Sequence, residues 1–186
     1  VSSFVWNHIA ISYDKGSDTR KYFINGVKVD EVSGAAPSTT LNNGPKIGSH
    51  LNGSKEFFEG QIADIRIYNR SIASQTEKDL YRGYGGEEGN AIAPTPIEFL
   101  PTMETLYEDS AGTTQATVGG PVGRWESQSG DVAVTQTTTS DKPTLKEDAN
   151  GNLYLRFGEN YFDDRYLEFN NEASKVTMVS TIPGVG

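Results

Sequence analysis

Asn25-Gly26 stands between two short β-rich runs, Tyr22-Phe23-Ile24 before it and Val27-Lys28-Val29 after it. A two-residue hairpin turn needs positive φ at both central positions, and Asn-Gly adopts that conformation at the least steric cost. The pair therefore predicts an antiparallel hairpin, and it commits this part of the chain to strands rather than helices. Residues 4–13 agree with it. Phe4, Trp6, His8, Ala10 and Ser12 alternate with Val5, Ile9, Ile11 and Tyr13, so both faces of the predicted strand carry bulk.

Further strands are expected at 46–48 and at 61–68, where Ile62, Ile65 and Ile67 supply the apolar positions, with a loop containing Asn52-Gly53 between them. A short helix should follow. Ser71 or Ser74 is placed to cap it, Glu77 lies three residues after Ser74 as a capping box requires, and Leu80 with Tyr81 would pack it down. Residues 83–96, rich in Gly, Glu, Ala and Pro, show no hydrophobic period and read as a linker. Beyond it come an apolar stretch over 97–107, a Gly-rich turn, a strand over 122–125, an alternating run over 152–157, and two more strands at 161–169 and 176–179. Hydrophobic residues at 35% suffice for a packed core, and their grouping in short clusters favours many strands over long helices.

The formal charge of −9 opposes phosphate backbones and anionic membrane surfaces, so nucleic acid is a poor partner. No apolar run reaches the ~20 residues of a membrane span, and membrane insertion is not expected. Cysteine is absent, which removes disulfides and thiolate metal sites but does not decide the compartment. The chain begins at Val1, and a fragment or processed product is the expectation.

The order WNHIAISYD, the hairpin KYFINGVKVDE, PKIGS and FEGQIADIRIYNRSIASQTEKDLY resembles the C-terminal half of a laminin-G-like jelly-roll domain of the concanavalin A-like lectin and glucanase superfamily. The stretch from VGRWESQSG through NLYLRFGENYFDDRYLEF resembles the N-terminal half of such a domain, with Phe157-Gly158 before an exposed loop. The resemblance implies an all-β, antiparallel jelly-roll sandwich of concanavalin and laminin-G type with one short helix. It divides the chain into 1–82, the linker 83–96, and 97–186. Two arrangements remain open. Either each half has lost its partner to the chain's boundaries, or the halves complete one another in a permuted sandwich, with the strand near Leu106 paired to that near Ile65.

A glycosidase on such a sandwich needs two carboxylates about 5 to 10 Å apart across the sugar. The strand-borne Glu-x-Asp-x-x-Glu arrangement is missing, and Glu56 with Glu59 sits in a Gly/Phe turn context. No Gly-x-Ser-x-Gly elbow or phosphate loop is present either, so no catalytic residue is assigned and an enzyme is not expected. His8 and Trp6 are expected to pack together in a sheet, Trp6 and Trp125 in the core, and Asp64 to be a structural carboxylate satisfied by backbone or Arg66.

Laminin-G-like domains often hold calcium near a ligand rim, and the resemblance makes Asp14 and Asp18, flanking Lys15-Gly16-Ser17, the candidate metal ligands; a plain hairpin turn explains them equally well. Asp148, Asn150 and Asn152 imitate the start of a calcium loop, but the rest of that pattern is missing and a turn is the better reading. Tyr161, Phe162, Asp163 and Asp164 combine aromatic faces with carboxylates, the two kinds of group that sugar sites use, and form the candidate ligand-binding cluster beside a competing core-packing reading. The sequons at Asn52 and Asn69 would matter only in a eukaryotic secretory host.

The expected function is a noncatalytic module that binds a glycan or glycoprotein. It would belong to a larger extracellular, cell-surface or virion-exterior protein, with the other domains of that parent as further partners. The alternatives are a structural spacer or decoration domain and, more distantly, a glycoside hydrolase or lyase.

Overall fold

The computed structural model describes residues 6–34, 46–49, 57–68, 71, 96–158 and 165–169. The predicted helix, nearly all of the 83–96 stretch, the 176–179 strand, Glu56 and both sequon asparagines lie outside these residues. Among these residues the architecture is antiparallel β, apart from a single 3-10 turn at Thr139–Asp141. Among the described residues no helix is long and apolar enough to cross a membrane.

The chain forms two compact units, one of 1–39, 68–95 and 178–186, the other of 40–67 and 96–177. They cut across the boundaries drawn from sequence at 82 and 97.

In the first unit, β1 (Ile9–Asp14), β2 (Thr19–Ile24) and β3 (Val27–Ser33) make a three-stranded sheet in the order β1-β2-β3. Asn25 and Gly26 take φ of 51° and 74°, as the hairpin requires. The Asn25 side chain fixes the turn to the chain entering β1: its Oδ1 accepts the His8 backbone N–H at 2.8 Å, and its own backbone N–H donates to the His8 carbonyl at 2.8 Å. Trp6 is 52% exposed just ahead of β1, which corrects the expectation that it lies in the core. Bulk and aromaticity alone placed it inside, whereas the regular strand starts three residues later.

In the second unit, β4 (Lys46–Ile47), β13 (Leu167–Glu168), β10 (Ala133–Thr135), β9 (Arg124–Glu126) and β8 (Leu106–Tyr107) form a five-stranded sheet in that order. A second sheet runs β11 (Thr144–Glu147), β12 (Leu153–Phe157), β5 (Gly60–Ile62), and β6 (Ile65–Ile67) pairs with β7 (Ile97–Phe99). Alternate residues of these sheets enclose one core, including Leu106, Trp125, Val134, Leu145, Leu155, Phe157 and Leu167, all fully buried. Trp125 sits at its centre as expected, edge-on to Phe99 with ring centroids 5.6 Å apart, its Nε1 donating to the Leu100 carbonyl at 3.2 Å.

Strands from both ends of the chain meet in this unit: Ile47 pairs with Leu167, Ile62 with Leu155, and Ile65 with Phe99. The pairing of Leu106 with Ile65, which the permuted arrangement would bring, does not form. Leu106 pairs with Trp125 instead, across the intervening 108–123 stretch, and Ile65 takes Phe99.

Candidate functional site

The β5–β12 pairing builds the most differentiated surface feature among the described residues. Gly60 faces Phe157, Gln61 faces Arg156, and Ile62 faces Leu155. Phe157 and Leu155 are fully buried, so the two-residue period of a strand directs Arg156 and Gln61 to the opposite, outer face. Phe58, just ahead of β5, is 47% exposed and folds its ring over Gly60; a Cβ there would meet Phe58 Cζ at 2.6 Å. Glycine is what lets an exposed aromatic lie against this edge.

Glu59, Gly60, Gln61, Arg156 and Gly158 line an open polar cleft of about 200 Å³. That is smaller than the ~300–1,000 Å³ of pockets that enclose whole small-molecule ligands, and it suits contact with one ring or one substituent of a longer molecule. The lining offers a carboxylate, an amide and a guanidinium, which together accept and donate hydrogen bonds. A neighbouring strand adds to this face. Thr144 stands opposite Arg156 on its other side, and its hydroxyl accepts a hydrogen bond from Arg165 Nη1 at 2.8 Å.

The sequence did not single out this cleft, since Gln61 and Arg156 come from strands distant along the chain. The alternation over 153–157 was the available signal that Arg156 points outward. Tyr161, Phe162, Asp163 and Asp164, the residues expected to hold a sugar, lie outside the described residues, in the stretch that follows Gly158.

Asp14 and Asp18 belong to the turn joining β1 and β2. Asp14 accepts the Gly16 backbone N–H at 2.8 Å and the Ser17 hydroxyl at 3.0 Å; these two bonds, the first foremost, hold its carboxyl below the usual range. Asp18, at φ 48°, accepts the Tyr13 hydroxyl at 3.0 Å. Desolvation, and then that bond to Asp18, raise the Tyr13 phenol. Calcium takes six to eight hard oxygens, and these two carboxylates are engaged in stabilising their own turn, so the residues present do not fit the ion. Among the described residues no group of three or more His, Cys, Asp or Glu side chains is placed to hold a metal.

Asp148 likewise serves its turn. It accepts the Asn152 side chain at 3.0 Å and the backbone N–H groups of Asn150 and Asn152, and these hydrogen bonds lower its carboxyl. Asp109 is held far below the usual range despite partial desolvation, by hydrogen bonds from Thr113 and Thr114.

Asp64 behaves differently. Burial pushes its carboxyl up to about 6, with Glu98 adding to the effect and Arg66 opposing it. Arg66 Nη2 lies 3.3 Å from Asp64 Oδ2, while Arg66 Nε reaches Glu98 Oε1 at 2.8 Å. One guanidinium thus serves two carboxylates. Of the two partners expected for Asp64, backbone or Arg66, the described residues supply Arg66.

Residues 1–76 match a laminin-G-like family model of the Concanavalin A-like lectin/glucanases superfamily. The match covers the hairpin sheet of the first unit and strands β4 to β6 of the second. A crystal structure of an S-layer domain-containing protein from Clostridium thermocellum is similar at 25% identity, with a TM-score of 0.33, over 44% of this chain and 41% of that one. The chain therefore spans less than half the length of that structure. No curated protein matches the chain.

Proposed function

We propose that this chain is a noncatalytic module that binds a glycan, free or on a glycoprotein, as part of a larger protein exposed at a cell or particle surface. The observation that carries the reading is the β5–β12 cleft. The cleft sets a carboxylate, an amide and a guanidinium side by side, groups that hydrogen-bond the hydroxyls of a pyranose. The superfamily match of residues 1–76 supports it at the level of fold, where lectins and glucanases share one architecture. Glu59 is the single carboxylate among the cleft's described residues, whereas glycoside hydrolysis needs a pair, and this favours binding over catalysis.

The test is a glycan array probed with the 186-residue chain, repeated with Gln61→Ala and Arg156→Ala. Binding to a defined set of glycans that both substitutions weaken supports the reading. An array without signal, or binding indifferent to both substitutions, removes the cleft from consideration. Release of reducing sugar from a polysaccharide panel would replace binding by hydrolysis.

A further inference from the structure

Asparagine followed by glycine is the pair in which a side-chain amide most readily loses ammonia, because the second residue has no Cβ to hinder attack by its backbone nitrogen. Asn25, Asn43, Asn52 and Asn150 each precede a glycine. Asn25 and Asn150 fall among the described residues, and they are held in opposite ways.

Asn25 is pinned through its side chain. Its Oδ1 accepts the His8 backbone N–H at 2.8 Å, its Nδ2 donates to Asn7 Oδ1 at 3.2 Å, and Gly26 is buried. Moving its Cγ onto the Gly26 nitrogen breaks both side-chain bonds and disrupts the β2–β3 turn. Asn150 is held through its backbone instead. It lies exposed in the turn between β11 and β12, where Asp148 collects the hydrogen bonds: Oδ1 accepts the backbone N–H groups of Asn150 and Asn152, and Oδ2 accepts the Asn152 side chain. The Asn150 side-chain amide makes no hydrogen bond among the described residues. Gly151 is exposed at φ 85°, and a Cβ there would find nothing nearer than Glu147 Oε1 at 3.6 Å. The Gly151 N–H donates to the Asp148 carbonyl at 3.1 Å, so one turn bond at the surface has to open before its nitrogen is free to react.

We propose that Asn150 is a site of spontaneous deamidation in the folded chain, while its hairpin protects Asn25. The Gly151 nitrogen gives up its proton to solvent and bonds to Asn150 Cγ. The Cγ–Nδ2 bond then breaks, and the amide nitrogen takes a proton from solvent and leaves as ammonia, closing a five-membered imide. Water opens the ring at one of two carbonyls. Attack at Cγ breaks the new bond and yields aspartate on an ordinary backbone. Attack at the Asn150 main-chain carbonyl breaks the original peptide bond and yields isoaspartate, with the side-chain methylene now part of the main chain. Either product adds a negative charge to a turn that already holds Glu147 and Asp148. Isoaspartate also lengthens the turn, so the N–H groups of residues 150–152 no longer converge on Asp148. That turn sets the register of β11 on β12, the strand that bears Arg156.

The experiment is peptide mapping by mass spectrometry of the full 186-residue chain, held at pH 8 and 37 °C for increasing times, native and in urea. In the native chain Asn150 should convert roughly tenfold or more faster than Asn25, and in urea, where the hairpin no longer protects Asn25, the two rates should converge. Native conversion at Asn25 as fast as at Asn150 overturns the proposal. An Asn150 that stays intact in the native chain while converting in urea overturns it too, because the turn would then protect it as well as the hairpin protects Asn25. Neither outcome depends on glycan binding, so this site and the cleft stand or fall separately.

Discussion

Arg156 on β12 stands directly opposite Gln61 on β5, on the outer face of a sheet whose inner face is fully buried at Leu155 and Phe157. Directly opposed residues have Cβ atoms about 5 Å apart, so amide and guanidinium can engage one ligand group together. Arg156→Lys should therefore lower affinity for a bound glycan less than Arg156→Ala, because the charge survives while the planar fork is lost. Titration by calorimetry would read this as a graded loss, with Arg156→Ala at tenfold or more. Equal affinities in all three proteins would exclude Arg156 from the site.

Gly48 ties β4 into the second unit. At φ 92° it occupies a conformation that L side chains rarely adopt, and an added Cβ would fall 2.4 Å from Phe157 Cδ1 and 3.0 Å from the Arg165 carbonyl. Phe157 is fully buried and cannot swing away. Gly48→Ala should cost about 2–4 kcal/mol from backbone strain and overpacking together, measured by urea unfolding. A loss below about 0.5 kcal/mol would show that β4 contributes little to this unit's stability.

The hairpin at Asn25-Gly26 was legible because the demand for positive φ is local to two residues. The pairings that assemble the second unit were not. Ile65 and Leu106 both read as apolar strand residues, and the pattern of one strand carries no label for its neighbour; the structure gives Ile65 to Phe99 and Leu106 to Trp125. Trp125 was legible as core, while Trp6 misled because it precedes the regular strand. The cleft escaped notice for the same nonlocal reason. Glu59 looks like a solvated loop residue, and Gln61 like the polar start of a strand, until β12 is laid beside them.

Asp14 and Asp18 give a calcium prediction. Their oxygens already accept hydrogen bonds from Gly16, Ser17 and Tyr13. Anything that binds the native state alone raises its unfolding midpoint by mass action. Millimolar calcium should therefore leave the thermal midpoint of the chain unchanged, with Asp14→Asn and Asp18→Asn indistinguishable from the wild type in their response. A rise in midpoint that either substitution removes would restore the metal site.

Asp64 supplies a pH dependence whose sign follows from its environment. Burial pushes its carboxyl up to about 6, well above the ~3.9 of a free aspartate. Between those values the folded state holds a proton that the unfolded state has released, so its contribution to stability falls as pH rises through 6. Above that range the ionised, buried carboxylate is a net cost, only partly offset by an Arg66 that also serves Glu98. Asp64→Asn keeps the shape and removes the ionisation. The variant should be more stable than the wild type by on the order of 1–3 kcal/mol at pH 7.5, and the difference should shrink towards zero at about pH 3, below the ordinary aspartate value, where the wild-type carboxyl is protonated in the folded state and largely so in the unfolded. Urea unfolding at a series of pH values reads the difference directly. A gap that does not change with pH would mean that Asp64 stays ionised throughout, with Arg66 fully compensating its burial.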